Sequence, residues 1–153
     1  AVEIILISID CSLKIRSTVI YGWDPNSKNF IMQLISKLSK NEQMNVPNDQ
    51  YGTPTYGENL AEITLRLIEA DKSGIYHVVG PDYLNRYDFA VKSAKILGLD
   101  HTLLRSLSTS EIGQVAKRPL KAGLKTDKLR KELNVRLVNV SEGISNVKRQ
   151  MIL

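Results

Sequence analysis

The chain alternates between two hydrophobic periods, and that alternation limits its fold more than any other feature. Leu13–Tyr21 (L-K-I-R-S-T-V-I-Y) is dense in β-branched residues and stops at Gly22, the pattern of a strand. Trp23-Asp24-Pro25-Asn26 is a turn. Asn29–Leu38 places Phe30, Ile31, Leu34, Ile35 and Leu38 at helical i, i+3, i+4 spacing. Gln43–Val46 reads as a short strand. Asn59–Ala70 reads as an amphipathic helix with Leu60, Ile63, Leu67 and Ile68 on one face. Ile75–Val79 is a strand broken by Gly80-Pro81. Asn85 caps a helix with Asp88 in its first turn and a stop at Gly98. Thr102–Arg105 is a further short strand. Ser108-Thr109-Ser110-Glu111 forms a capping box. Thr126 looks like the N-cap of a helix over Asp127–Leu133, and Ser141–Met151 is the last helix. Strand–helix alternation of this kind predicts an α/β architecture, parallel strands with flanking helices. Ala1–Ile9 is apolar and fits either the tail of a helix or a strand.

The length of 153 residues suits one domain with a single core, and 42% hydrophobic and 24% charged residues are ordinary for a globular protein. One cysteine, Cys11, excludes an internal disulfide; it reads as a small buried hydrophobe, and a cytosolic origin fits. No apolar run approaches the roughly 18 residues of a membrane span. The start, A-V-E-I-I-L-I-S-I-D, has no basic region and does not read as a signal peptide. It lacks an initiator Met and opens mid-pattern, so sequence before Ala1 is expected. The net charge of +5 is uneven: residues 117–153 hold ten Lys/Arg against three Asp/Glu. That tail contains no aromatic residue, which argues against base stacking and for an anionic small molecule or a solvated face.

Several catalytic patterns are absent. None of the nine glycines forms G-x-G-x-x-G or a G-x-x-x-x-G-K-[ST] phosphate loop. His77 and His101 stand without a metal-spaced cluster, and there is no G-x-S-x-G elbow. Three segments still look like parts of a site. Ser17 and Thr18 place hydroxyls near the C-terminal end of a strand, where open α/β sheets bind ligands. Asp49–Tyr56 packs polar side chains onto a loop stiffened by Gly52 and Pro54. In Ala116-Lys117-Arg118-Pro119, the proline pushes Arg118 out of the α region and leaves a guanidinium on a stiff backbone, suited to a bidentate grip on an anionic oxygen. Each has a plainer reading: strand hydroxyls, a helix start at Thr55, a basic surface loop.

Five segments occur together in one order: R-S-T-V-I-Y-G, D-Q-Y-G-T-P-T-Y-x-x-x-L-A, G-I-Y-H-V-V-G, N-R-Y-D-F-A and A-K-R-P-L-K-A-G-L-K-T. Together they resemble the C-terminal half of the extended short-chain dehydrogenase/reductases, and among these the dTDP-4-dehydrorhamnose reductases. The resemblance implies the C-terminal part of a Rossmann-like, NAD(P)-binding fold. It implies that residues 1–47 end the Rossmann-like core, that 48–153 are mainly substrate-binding, and that the dinucleotide-binding N-terminal half is absent. It implies reduction of dTDP-4-dehydro-L-rhamnose with NADPH or NADH bound mostly by that missing half.

By position, the resemblance puts Ser17 and Thr18 near the nicotinamide. Val19 stands where family members commonly carry a Trp that packs on the substrate. Gln50 and Thr53 would line the sugar-nucleotide cleft, and Lys117 and Arg118 would close over the diphosphate. The family's proton donor, the tyrosine of a Tyr-x-x-x-Lys pair, has no counterpart: none of the six tyrosines has Lys four residues on. No catalytic residue is therefore assigned, and the chain alone is expected to be inactive. Ala1–Ile9 would continue the helix that bears the pair. The expected partner is a nucleotide-diphosphate sugar, with no nucleic acid, no membrane and a homodimer left open. Two alternatives remain: a non-catalytic regulator similar to the methionine adenosyltransferase β subunit, or another nucleotide-sugar reductase or epimerase.

Overall fold

A computed structural model describes residues 2–7, by backbone alone, and residues 12–26, 29–113 and 118–151. Cys11 and Lys117 lie outside the described residues. In chain order the elements are β1 (Val2–Ile7), β2 (Ser12–Ser17), β3 (Ile20–Tyr21), α1 (Phe30–Leu38), β4 (Met44–Pro47), β5 (Tyr51–Gly52), β6 (Thr55–Tyr56), α2 (Gly57–Glu69), β7 (Gly74–His77), β8 (Leu84–Asn85), α3 (Arg86–Leu97), a 3₁₀ turn (His101–Leu103), β9 (Leu104–Leu107), α4 (Thr109–Ile112), α5 (Asp127–Glu132) and α6 (Val140–Gln150). The pairs β2–β7, β3–β6 and β4–β9 are parallel, as the alternation predicts. Two pairs are not: β1 runs antiparallel to β2, and β5 antiparallel to β8.

The start of the chain corrects the helical alternative. Val2–Ile7 is a strand in register with Ser12–Ser17. Its apolar run suits β backbone as well as helix, and only the neighbouring strand decides. The run Leu13–Tyr21 is also not one strand. It breaks at Thr18-Val19, where Val19 takes φ 47. On α2, Leu60, Ile63 and Leu67 are buried but Ile68 is 49% exposed, one step past the buried stripe. The strand expected over Thr102–Arg105 starts later, because Asp100 caps a 3₁₀ turn first. Thr126 precedes α5 without making a side-chain cap; its Oγ1 instead accepts from Arg130 Nε.

Two apolar clusters fill the interior. One gathers Leu13 and Ile15 from β2, Tyr76 and Val78 from the β7 region, Leu60, Ile63 and Leu67 from α2, and Leu129 from α5. The other gathers the buried faces of α1, α3 and α6 around Tyr21, Tyr56 and Phe89. Capping follows the sequence signals: the Asn29, Asn85 and Asn139 side chains accept from first-turn amides of α1, α3 and α6, and Gly98 closes α3 at φ 77.

Gly143 sets how closely α6 approaches. A Cβ there would lie 2.2 Å from Tyr21 Oη and 3.2 Å from Tyr56 Cβ. Alanine in a helix interior gains about 1 kcal/mol over glycine, whereas overpacking costs about 1–3 kcal/mol. Tyr21 is 1% exposed and cannot swing aside, so the clash wins. Gly143→Ala is expected to lower the urea midpoint. Tyr21→Phe removes the offending oxygen, which is buried with no hydrogen-bond partner among the described residues. That substitution alone should be neutral or stabilising, and in the double variant it should restore most of the midpoint that Gly143→Ala loses.

Candidate functional site

The break in β2–β3 builds one wall of the site. A β-branched residue at positive φ is a true conformational outlier, and the surroundings of Val19 hold it there. Leu124 N–H reaches Thr53 Oγ1 at 3.5 Å; Thr53 Oγ1 and Thr18 Oγ1 are 2.9 Å apart; Thr18 Oγ1 donates to the Thr53 carbonyl at 2.9 Å. Each hydroxyl has one proton, so the order Leu124 N–H to Thr53 O–H to Thr18 O–H to Thr53 carbonyl uses all of them. Thr55 Oγ1 donates to the Thr18 carbonyl at 2.9 Å, and Thr55 N–H to the Val19 carbonyl at 3.1 Å. Gly52 leaves room opposite: even a Cβ there would sit 3.5 Å from Val19 Cγ2. Thr18, Thr53 and Thr55 are all buried.

The second wall is the loop Asn48–Gly52. Thr109, the first residue of α4, locks it: its Oγ1 donates to Asp49 at 2.6 Å, its N–H lies 3.0 Å from both Asp49 oxygens, and it accepts from Gln50 Nε2 at 2.9 Å. These bonds hold the Asp49 carboxyl below its usual value, the Thr109 side-chain bond first and the backbone bond second. On the other side, Tyr51 N–H donates to the Leu120 carbonyl at 2.7 Å and Ala122 N–H to the Tyr51 carbonyl at 2.9 Å. This parallel bridge carries the segment after Arg118 alongside the loop.

Between these walls lies a cavity of about 210 Å³. Thr18, Val19, Gln50 and Arg118 all line it, as expected, together with Leu84, Phe89 and Arg86. Arg118 is exposed and Arg86 half-buried. The Arg86 guanidinium sits over the Phe30 ring at 4.7 Å, and its backbone N–H donates to the Gln50 carbonyl at 2.9 Å. Burial first, and then the charge of Arg118, lower the Arg86 pKa; arginine nevertheless stays protonated in proteins. No carboxylate pairs with either guanidinium among the described residues. Gln50, Arg86 and Arg118 also line an adjoining cavity of about 380 Å³ with Phe30, Met44 and Pro47. The arginine pair thus stands between two hollows.

Two predicted residues are elsewhere. Thr53 does not line the Thr18–Val19 cavity; it faces a separate hollow and acts on the first through Thr18. Ser17 is 1% exposed at the end of β2 and lines neither arginine cavity; its Oγ is buried without a partner among the described residues. Arg86 was legible but not read: a cation in the first turn of a helix opposes the macrodipole, which is a signal for function. His77 Nδ1 lies 3.1 Å from the Lys125 carbonyl, a structural contact. Among the described residues no carboxylate, His or Cys group could hold a metal, and no helix is long and apolar enough to cross a membrane.

A carboxyl whose native pKa is lowered stabilises the fold above its unfolded pKa, and that contribution is lost as pH falls through the native one. Asp49 is therefore expected to titrate below 3.8 by NMR. Asp49→Asn should lower the urea midpoint at pH 7, and the difference from wild type should vanish once the pH is below the native pKa.

Comparisons with known proteins show the family and the fold. The family model described as the RmlD substrate binding domain matches residues 3–152. The chain is 32% identical over 117 residues to the spore coat polysaccharide biosynthesis protein SpsK of Bacillus subtilis, covering 76% of this chain and 40% of that protein. It is 27% identical over 146 residues to the dTDP-4-dehydrorhamnose reductase of Escherichia coli, covering 89% of this chain and 48% of that one. The crystal structure of dTDP-4-dehydrorhamnose reductase from Bacillus anthracis in complex with NADP superposes with a TM-score of 0.82 at 26% identity, over 89% of this chain and 47% of that chain. The chain spans about half the length, or less, of the curated relatives it matches. With the α/β fold, the family model over nearly its whole length and the five motifs in register, the chain belongs to the RmlD substrate-binding-domain family.

Proposed function

We propose that this chain supplies the substrate-binding half of a nicotinamide-dependent reductase that converts dTDP-4-dehydro-L-rhamnose to dTDP-L-rhamnose. The observation that carries this reading is the Arg86–Arg118 pair at the junction of two cavities, with no carboxylate to neutralise it among the described residues. Two like charges facing one space repel each other, and burial adds a desolvation cost to Arg86. A diphosphate offsets both, because it brings two anionic groups and accepts bidentate bonds from planar guanidiniums. The excess of Lys and Arg in residues 117–153 would draw that ligand in.

With the diphosphate on Arg86 and Arg118, the sugar lies toward Thr18, Val19 and Leu84, and the nucleoside toward Phe30, Met44 and Pro47. Gln50, held by Thr109, borders both. Lys117, next to Arg118 in sequence, is proposed as a further cation for the diphosphate. Thr53 positions Thr18 rather than touching the sugar. A nicotinamide cofactor, NADPH or NADH, supplies hydride when bound. The residues here that fit its reactive end are Ser17, whose buried Oγ lacks a partner among the described residues, and Thr18. The chain has no glycine fingerprint for the cofactor's pyrophosphate and no Tyr-x-x-x-Lys pair. Both belong to the N-terminal half of this reading, in which residues 1–47 end the Rossmann-like core and contribute to the cleft, and 48–153 are mainly substrate-binding. The chain alone binds and does not turn over.

Calorimetry with dTDP on the full chain tests the reading. Arg86→Gln and Arg118→Gln should each weaken binding at least tenfold, since a hydrogen bond to a charged group contributes about 1.5–3 kcal/mol. Arg118→Lys should recover only part, because an ammonium cannot make the planar bidentate contact. Arg86→Gln should leave the melting temperature unchanged or raise it, as removing an unpaired half-buried cation relieves a cost. Equal dTDP affinity in wild type and both glutamine variants overturns the assignment.

A further inference from the structure

Behind the arginine cavity, across the same extended segment, lies a hollow of about 530 Å³ lined by Tyr83, Lys121, Lys125, Thr126, Asp127 and Arg130. Alternation along an extended backbone explains the arrangement. Ala122 faces the arginine cavity, whereas Lys121 and Gly123, on either side of it, face this one. The two cavities therefore share a wall and no cation.

Three properties mark this hollow as more than a basic surface. First, Lys121, Lys125 and Arg130 have no carboxylate partner among the described residues. Asp127 is the carboxylate at the rim, against those three cations. Second, Arg130, although exposed, is tethered: its Nε donates to Thr126 Oγ1 at 3.1 Å. Third, the hollow has a fixed aromatic element. Tyr83 is 50% exposed, yet it stacks on Tyr51 with centroids 5.6 Å apart and planes 27° from parallel. A Cβ at position 123 would lie 2.6 Å from the Tyr83 ring, so only glycine lets the backbone lie against it. An exposed ring pinned at its edge and on one face is a stacking platform whose conformational entropy has already been removed.

We propose that this hollow is a second binding site, for a nucleoside phosphate, with the flat base on Tyr83 and the phosphate between Lys125 and Arg130. Cations alone would take any anion; the pinned ring selects one with a π-face. Lys121 sits on the shared wall, beside the backbone that leads to Arg118.

The test is a ¹H–¹⁵N NMR titration of the full chain with AMP, with inorganic phosphate and adenosine as separate probes. AMP is expected to shift amides in 80–83 and 121–127 and to bind at least tenfold more tightly than either part. Arg130→Gln and Lys125→Gln should each weaken AMP at least fivefold, and Tyr83→Ala should reduce it to the level of inorganic phosphate. Arg86→Gln should leave AMP binding at this hollow unchanged, which separates this site from the one proposed for dTDP. Where Tyr83→Ala fails to fold, Tyr83→Leu, which keeps an apolar side chain on Gly123 without a ring, takes its place. Shifts confined to the Thr18–Val19–Leu84 cavity, AMP no tighter than phosphate, or binding that survives loss of the ring overturn the proposal.

Discussion

The hydroxyl chain through Thr53 and Thr18 is the junction on which the site depends. It sits where β2 ends and β3 begins, between an apolar cluster built on β2, β7 and α2 and another built on α1, α3 and α6. A left-handed residue other than glycine costs roughly 1–2 kcal/mol, and Val19 bears that cost at φ 47. Hydrogen bonds of about 1 kcal/mol each, from Thr18 and Thr55, are enough to offset it. Strain of this kind persists only where the surroundings over-determine it, and it gathers at ligand sites. The turn does more than redirect the chain: it places Val19 at the cavity wall and hands the next two residues to β6.

The placement of Arg86 runs against local stability. Arg86 stands in the first turn of α3, at the positive end of the helix dipole. It is half-buried, it faces a second arginine, and no carboxylate among the described residues answers it. Its compensation is the Phe30 ring beneath it, a contact of about 0.5–2 kcal/mol. The same turn carries an acid, Asp88, as α4 carries Glu111 and α6 Glu142; it is Arg86, at the first helical position, that opposes the dipole.

The regular part of the fold was legible because it rests on local rules. The α1 stripe, the Asn85 cap, the Gly98 stop and the Ser108–Glu111 box follow from periodicity and capping chemistry within a few residues. What was not legible depended on partners distant in sequence. The strand at Val2–Ile7 is settled by Ser12–Ser17 beside it, and the break at Thr18 by residues 53 and 55. Thr126 looks like a cap in sequence but spends its hydroxyl on Arg130, four residues on. Of the residues expected at the site, Thr18, Val19, Gln50 and Arg118 meet at one cavity, whereas Thr53 supports Thr18 from behind. Arg86 escaped because Asn85 and Asp88 already explained that stretch as a helix start.

Tyr51 shows why one loop can serve both hollows. Its backbone holds the Leu120–Ala122 segment in place, its side chain stacks on Tyr83, and the flanking Gln50 and Gly52 line the arginine cavity. Asp49 and Gln50, bound to Thr109, fix the loop from the other side. The segment just after Arg118 is thus pinned to the Asp49–Tyr51 loop, and that loop is pinned to β8 and α3 through Tyr51–Asn85 pairing and the Arg86 amide. The backbones that carry Arg86 and Arg118 are therefore both referred to the same short loop by main-chain hydrogen bonds, which limits how far the two arginines can move relative to each other.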